Sequence, residues 1–307
     1  MDASLELMWN KYRGWARRAR TIRSDLDRWR LRTLLLTVSG AVLATLAAQL
    51  PGWLPKLIVV SQGLSAASAV AMALAAWAAS SMLDSKVEKD WIRARALAER
   101  AKSESYRYAA SVPPYDAADA SQKLLDKVKE LMAEGEDLPA MDAKGEDASK
   151  DRPGYPLSVQ DYIKIRIDTQ VAWFTERADL NERNGVRSTR AVQVLSALAA
   201  VLGALGALGA GAGFAVWVAT LSTITTAIGT YALAQRYQRL AATYRLAADR
   251  LTLRRTAWNI ATQAQPNPAA DTALILDSEG ISNGETDAWV ADFLKKPAAP
   301  PVETAAT

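Results

Sequence analysis

From Thr33 to Leu50, and again from Leu57 to Leu83, the chain contains no ionisable residue, and a comparably apolar pair of blocks runs from Arg190 to Gln235. A soluble helix distributes polar residues along one face. This chain segregates them instead: within the blocks little exceeds Ser or Thr in polarity, and Gln49, Gln62 and Gln193 lie near block ends. A helix rises about 1.5 Å per residue, so about 20 apolar residues cross a hydrocarbon core of about 30 Å. The pattern predicts an all-α membrane protein of two tandem two-span helical hairpins, with spans at about 33–50, 57–82, 190–210 and 214–235 and long cytoplasmic helical extensions.

The turns and flanks fit that topology. Pro51 and Pro55 punctuate the first turn and Trp53 suits the headgroup layer; the second turn, Gly209 to Gly213, is uncharged. Before the first block stand Lys11, Arg13, Arg17, Arg18, Arg20, Arg23, Arg28, Arg30 and Arg32 against Asp25 and Asp27, whereas the first turn offers Lys56 alone. Basic residues also follow both hairpins, at Lys86, Lys89, Arg93 and Arg95 and at Arg236, Arg239 and Arg245. Positive flanks stay inside, which places both termini and the central segment in the cytoplasm. The net charge of +4 is then a topology signal, suited to anionic headgroups rather than nucleic acid, since no nucleic-acid motif accompanies the arginines.

Cysteine and histidine are both absent. That removes disulfides, thiol nucleophiles, imidazole bases and the zinc and iron sites built on those ligands. No nucleophile elbow, phosphate loop or paired-carboxylate motif stands at a diagnostic spacing, and the glycine run at Gly203, Gly206 and Gly209 lies inside a span. The expectation is a non-enzyme without cofactor or metal.

Outside the spans, Leu5, Met8, Tyr12, Trp15, Ala19, Ile22, Leu26 and Trp29 recur at steps of three and four, a seam that runs directly into the first span. Similar seams follow the second and fourth spans, the last interrupted by Arg254. They bury either within one chain or between copies in a homo-oligomer. The sequence divides into a first unit (1–114), a linker (115–156) with a short helix from Ala117 to Glu134, a second unit (157–262) and an acidic, partly disordered tail (263–307) holding a short helix from Ala288 to Leu294 anchored by Trp289 and Phe293.

Within the spans, Ser61, Ser65 and Ser68 share one helical face, as do Thr223, Thr226 and Thr230. Such stripes either line a narrow uncharged conduit or hold packed helices together. Gly203, Gly206, Gly209 and Gly213 permit close helix approach. No intramembrane carboxylate or cation marks an ion-coupled transporter.

The helix after the first hairpin carries Trp91, Arg93, Arg95, Glu99, Glu104, Tyr106 and Tyr108, then Pro113, Pro114 and Tyr115. The helix before the second carries Tyr162, Arg166, Gln170, Trp173, Phe174, Arg177, Ala178 and Asn181. These stretches resemble two branches of the SLATT domains, the two-span effector domains associated with SMODS and SLOG genes in bacteria, so that nearly the whole chain is similar to two SLATT units in tandem. The resemblance implies an integral effector of the bacterial inner membrane, pore-forming and triggered by a separate nucleotide-signalling or other sensor protein, as in antiphage defence. A different class also accommodates the residues: a non-conducting anchor or scaffold that presents cytoplasmic helices to a partner.

Overall fold

The computed structural model describes residues 2–142, 152–208 and 213–294, with side chains through Gly284. The helices are α1 (Ala3–Trp53), α2 (Ile58–Ser81), α3 (Ser85–Ala109), α4 (Ala120–Glu134), α5 (Val159–Tyr162), α6 (Thr169–Ala207), α7 (Gly213–Gln235), α8 (Tyr237–Thr262) and α9 (Pro268–Leu294). A short 3-10 turn, Pro55–Leu57, precedes α2, and a π-helical turn, Ile163–Asp168, joins α5 to α6. No strand occurs among the described residues. The all-α expectation holds, and four helical stretches, Ala3–Trp53, Pro55–Ser81, Val159–Ala207 and Gly213–Thr262, are long and apolar enough to cross a membrane.

The chain forms two compact units, each assembled from separate stretches of sequence. One comprises Arg20–Glu88 and Asp168–Thr252 and contains the apolar helices. Its packing follows from small residues and hydroxyls. Gly40 brings α2 close enough that an added Cβ would meet the Met72 sulfur at 2.8 Å. The Ser68 hydroxyl donates to the Gly40 carbonyl and the Ser61 hydroxyl to the Ala47 carbonyl, each at 2.8 Å, so α2 runs antiparallel to α1. Thr45 of α1 and Thr220 of α7 share a buried hydrogen bond, and Gln49 Nε2 donates to the Gly213 carbonyl at 2.9 Å. In hydrocarbon each such polar group needs a protein partner, because water is excluded.

The other unit comprises Met1–Ala19, Lys89–Ile167 and Leu253–Thr307. Its core is an ordinary apolar helix interface. Leu5, Met8, Trp9 and Trp15 of α1, Trp91, Ala94, Leu97 and Ala101 of α3, Leu124, Val128 and Leu131 of α4, and Leu274 and Ile275 of α9 are buried. The seam seen in the sequence at Leu5, Met8 and Trp15 is this buried face. Trp15 Nε1 donates to the Leu138 carbonyl at 3.0 Å, and beside it Gly14 lies so close to the segment after α4 that an added Cβ would sit 2.6 Å from the Met141 carbonyl oxygen.

Two details differ from the sequence reading. Only α1 and α6 continue unbroken from their polar stretches into their apolar stretches. The chain breaks between α2 and α3, and α7 is separated from α8 by Arg236, which adopts a left-handed φ of 54°. A non-glycine residue there costs about 1–3 kcal/mol, which the surrounding contacts must offset. The acidic segment after Gln263 is helical over Pro268–Leu294. Acidic composition argues for disorder only when the carboxylates remain in water, and here Glu279 is buried against a base. The short helix expected at Ala288 to Leu294 falls within α9, while the side chains of Trp289 and Phe293 lie outside the described ones.

The close approach at Gly14 predicts that Gly14→Ala, which must displace backbone, lowers stability by about 1–3 kcal/mol. Gly63→Ala, with open space around the added Cβ, should be neutral or slightly stabilising. Thermal unfolding of the two detergent-solubilised variants checks this contrast.

Candidate functional site

In the unit that holds α3, α4 and α9, Ser158 caps α5 by accepting from the Asp161 backbone N–H at 3.1 Å. The following turn widens to a π-helix, a deviation often found where a side chain must be re-aimed. It carries Arg166 inward. Arg166 Nε donates to Glu279 Oε1 at 2.9 Å and its Nη2 donates to Oε2 at 2.8 Å, while the Tyr162 hydroxyl donates to Oε1 at 2.8 Å. The Arg166 guanidinium also lies 5.0 Å from the centre of the Tyr106 ring, which meets Tyr162 edge-on at 5.9 Å. Tyr162, Arg166 and Glu279 are all essentially excluded from solvent.

Burial alone would raise the Glu279 pKa, but the charge and hydrogen bonds of Arg166, with the Tyr162 hydroxyl, outweigh it and hold the carboxylate below its ordinary value. Burial works against the Arg166 cation as well, and Glu279 reverses that effect, so the guanidinium stays charged. Burial and then the Glu279 charge push the Tyr162 phenol well up, keeping it a donor. With three donors converging on one carboxylate, the cluster serves as a clamp tying α9 to the π-helical turn.

The sequence motif residues distribute around this clamp. Trp91 is buried on α3; Glu99, half-buried, adds negative charge that favours the Arg166 cation. Arg93 forms a bidentate pair with Asp137, both bonds at 2.7 Å, on the exposed surface, and Arg95 is half-buried. In the other unit, Gln170 is half-buried on α6 and Trp173 packs edge-on against Tyr244 at 5.4 Å. Glu279, the centre of the clamp, was not singled out from the sequence. Its signal was present: Leu274, Ile275, Ser278 and Ser282 share its helical face, and an acid on such a face requires a buried base.

The apolar unit holds the hydroxyl stripes. Ser61 and Ser68 point into the α1 contact described above, whereas Ser65 is exposed. Thr223, Thr226 and Thr230 line an open cleft of about 510 Å³ between α7 and α1, opposite Thr33 and Thr37. The Thr223 hydroxyl donates back to the Ala219 carbonyl at 3.0 Å. An added Cβ at Gly203 or Gly206 would meet Val218 or Phe214 of α7 at ordinary contact distance; one at Gly213 would meet Gln49; Gly209 lies outside the described residues. The Thr45–Thr220 pair was not foreseen, because single threonines within apolar runs carry no periodic signal.

Comparison with known families yields two matches. Residues 162–289 match the model described as SMODS and SLOG-associating 2TM effector domain 1, a span that contains Tyr162, Arg166 and Glu279 as well as α7. Residues 11–123 match the model described as Protein of unknown function (DUF4231). Neither a curated protein nor a solved structure gives a match.

The clamp has a definite energetic signature. Removing one member of a buried pair strands the other, so Glu279→Gln or Arg166→Met should cost about 3–5 kcal/mol, and Tyr162→Phe about 1 kcal/mol. Since the folded pKa of Glu279 is depressed, its stabilising contribution is present above the unfolded carboxylate value of about 4.3 and is lost as pH falls through and below it. Thermal melts across acidic pH should show that loss in the wild type and a shallower dependence in Glu279→Gln.

Proposed function

From a chain that carries a SLATT domain over residues 162–289, and is thereby a multi-pass membrane protein of the SLATT family with a membrane effector role, we propose a pore-forming effector that acts without catalysis. It assembles as a homo-oligomer in the bacterial inner membrane with both termini in the cytoplasm, and a separate nucleotide-signalling or other sensor protein triggers it in defence against phage. The observation that carries the pore reading is the cleft: Thr226 and Thr230 are exposed and, with Thr223, line an open groove opposite Thr33 and Thr37 instead of being sealed between helices. Hydroxyls serving only as packing glue would be sealed like those of Ser61 and Ser68. A hydroxyl-lined groove without carboxylates suits a weakly selective conduit once copies assemble.

Purified protein in liposomes should release a trapped dye and carry current in planar bilayers. Thr226→Leu and Thr230→Leu should each reduce conductance several-fold, while Ser61→Ala, whose hydroxyl bonds to an α1 carbonyl, should cost about 0.6 kcal/mol of helix association and leave ion preference unchanged. Silence in every oligomeric state favours the non-conducting scaffold.

A further inference from the structure

The polar end of the same cleft holds two buried donors that the protein does not use. Arg30 is 8% exposed; its Nη2 donates to Glu88 Oε1 at 3.1 Å, but its Nη1 lies 3.9 Å from Asp27 Oδ1, beyond hydrogen-bond reach, and has no hydrogen-bond partner among the described residues. One helical turn further on, the buried Thr33 hydroxyl also lacks a partner among them. A buried donor left unmade costs about 1–3 kcal/mol, more when charged. Two of them at the mouth of one groove point to an acceptor from outside the chain.

The electrostatics select an anion. Arg23 pairs with Asp27, Asp27 lies near Arg30, Arg30 pairs with Glu88, and Glu88 lies 3.9 Å from Arg236. Arg23, Arg30 and Arg236 thus gather around Asp27 and Glu88 where the charged part of α1 becomes apolar. Beside these donors the groove is walled by Leu34, Leu83, Ala227 and Ala234 as well as by its threonines. Guanidinium and hydroxyl donors beside apolar walls suit the phosphate and the acyl chain of a phospholipid. A soluble phosphate would leave the apolar walls uncovered.

We propose that this groove between α1 and α7 binds one anionic phospholipid, with its phosphate accepting from Arg30 and Thr33 and an acyl chain against Leu34 and Ala227. A positive surround disfavours choline headgroups relative to phosphatidylglycerol. The site requires the helices to lie in a bilayer but does not require conduction, so failure of the leakage assay leaves it standing.

Native mass spectrometry of the full chain released from micelles containing equal phosphatidylglycerol and phosphatidylcholine tests the assignment. The wild type should retain one phosphatidylglycerol with several-fold preference. Thr33→Val should weaken retention several-fold, Ala227→Leu, which fills the groove, should abolish it, and Arg30→Gln should remove the headgroup preference. Because Arg30→Gln removes the shorter of the two Glu88 ion pairs and can fail to fold, the first two variants decide the matter. Equal retention of both lipids, or retention unchanged in Thr33→Val and Ala227→Leu, overturns the proposal. So does inorganic phosphate binding that Ala227→Leu leaves intact, which would assign the donors to a soluble anion.

Discussion

Hydrocarbon supplies no hydrogen bonds, and that constraint governs how this chain is built. Its apolar stretches satisfy their backbone as helices, and several polar side chains within them find partners in the protein. Ser61 and Ser68 donate to α1 carbonyls, Thr45 meets Thr220, Gln49 reaches the carbonyl of Gly213, and Thr223 bonds back to its own helix. These contacts are individually small. Collectively they set which helix faces which, because apolar side chains alone do not distinguish a neighbouring helix from lipid.

The other unit follows a different rule. Its helices bury leucine, tryptophan and tyrosine away from water, and non-directional apolar packing supplies most of the stabilisation. The Arg166–Glu279 pair adds direction. Desolvating two charges offsets much of their attraction, so the pair contributes less to net stability than to specificity: α9 docks in the register that brings Glu279 to the arginine, and other registers leave a buried charge unpaired. The π-helical turn fits this role, since an extra residue per turn re-aims Arg166 without interrupting the helix that continues into α6.

Legibility from sequence varied with the range of the interaction. The four apolar helices were readable because hydropathy is a property of contiguous residues, and the buried face at Leu5, Met8 and Trp15 because helical periodicity is local. Arg166 was visible as part of a family-like motif, but its meaning was not: its partner lies 113 residues away, in a segment whose acidity suggested a tail. The hydroxyl stripes were found, yet sequence could not say that Ser61 and Ser68 meet α1 while Thr226 and Thr230 open to a cleft.

The amino-acid order by itself determined that the chain is helical, that four stretches suit a bilayer, and that thiol and imidazole chemistry are excluded, since each rests on composition or on neighbours within a few turns. Only the tertiary structure decided that Thr45 meets Thr220, that Arg236 interrupts α7 and α8, that Glu279 is buried, and that Arg30 and Thr33 keep unused donors at a groove. Those outcomes depend on which faces pack together. Packing is a competition among many surfaces of similar apolarity, settled by small polar contacts between residues far apart in the chain.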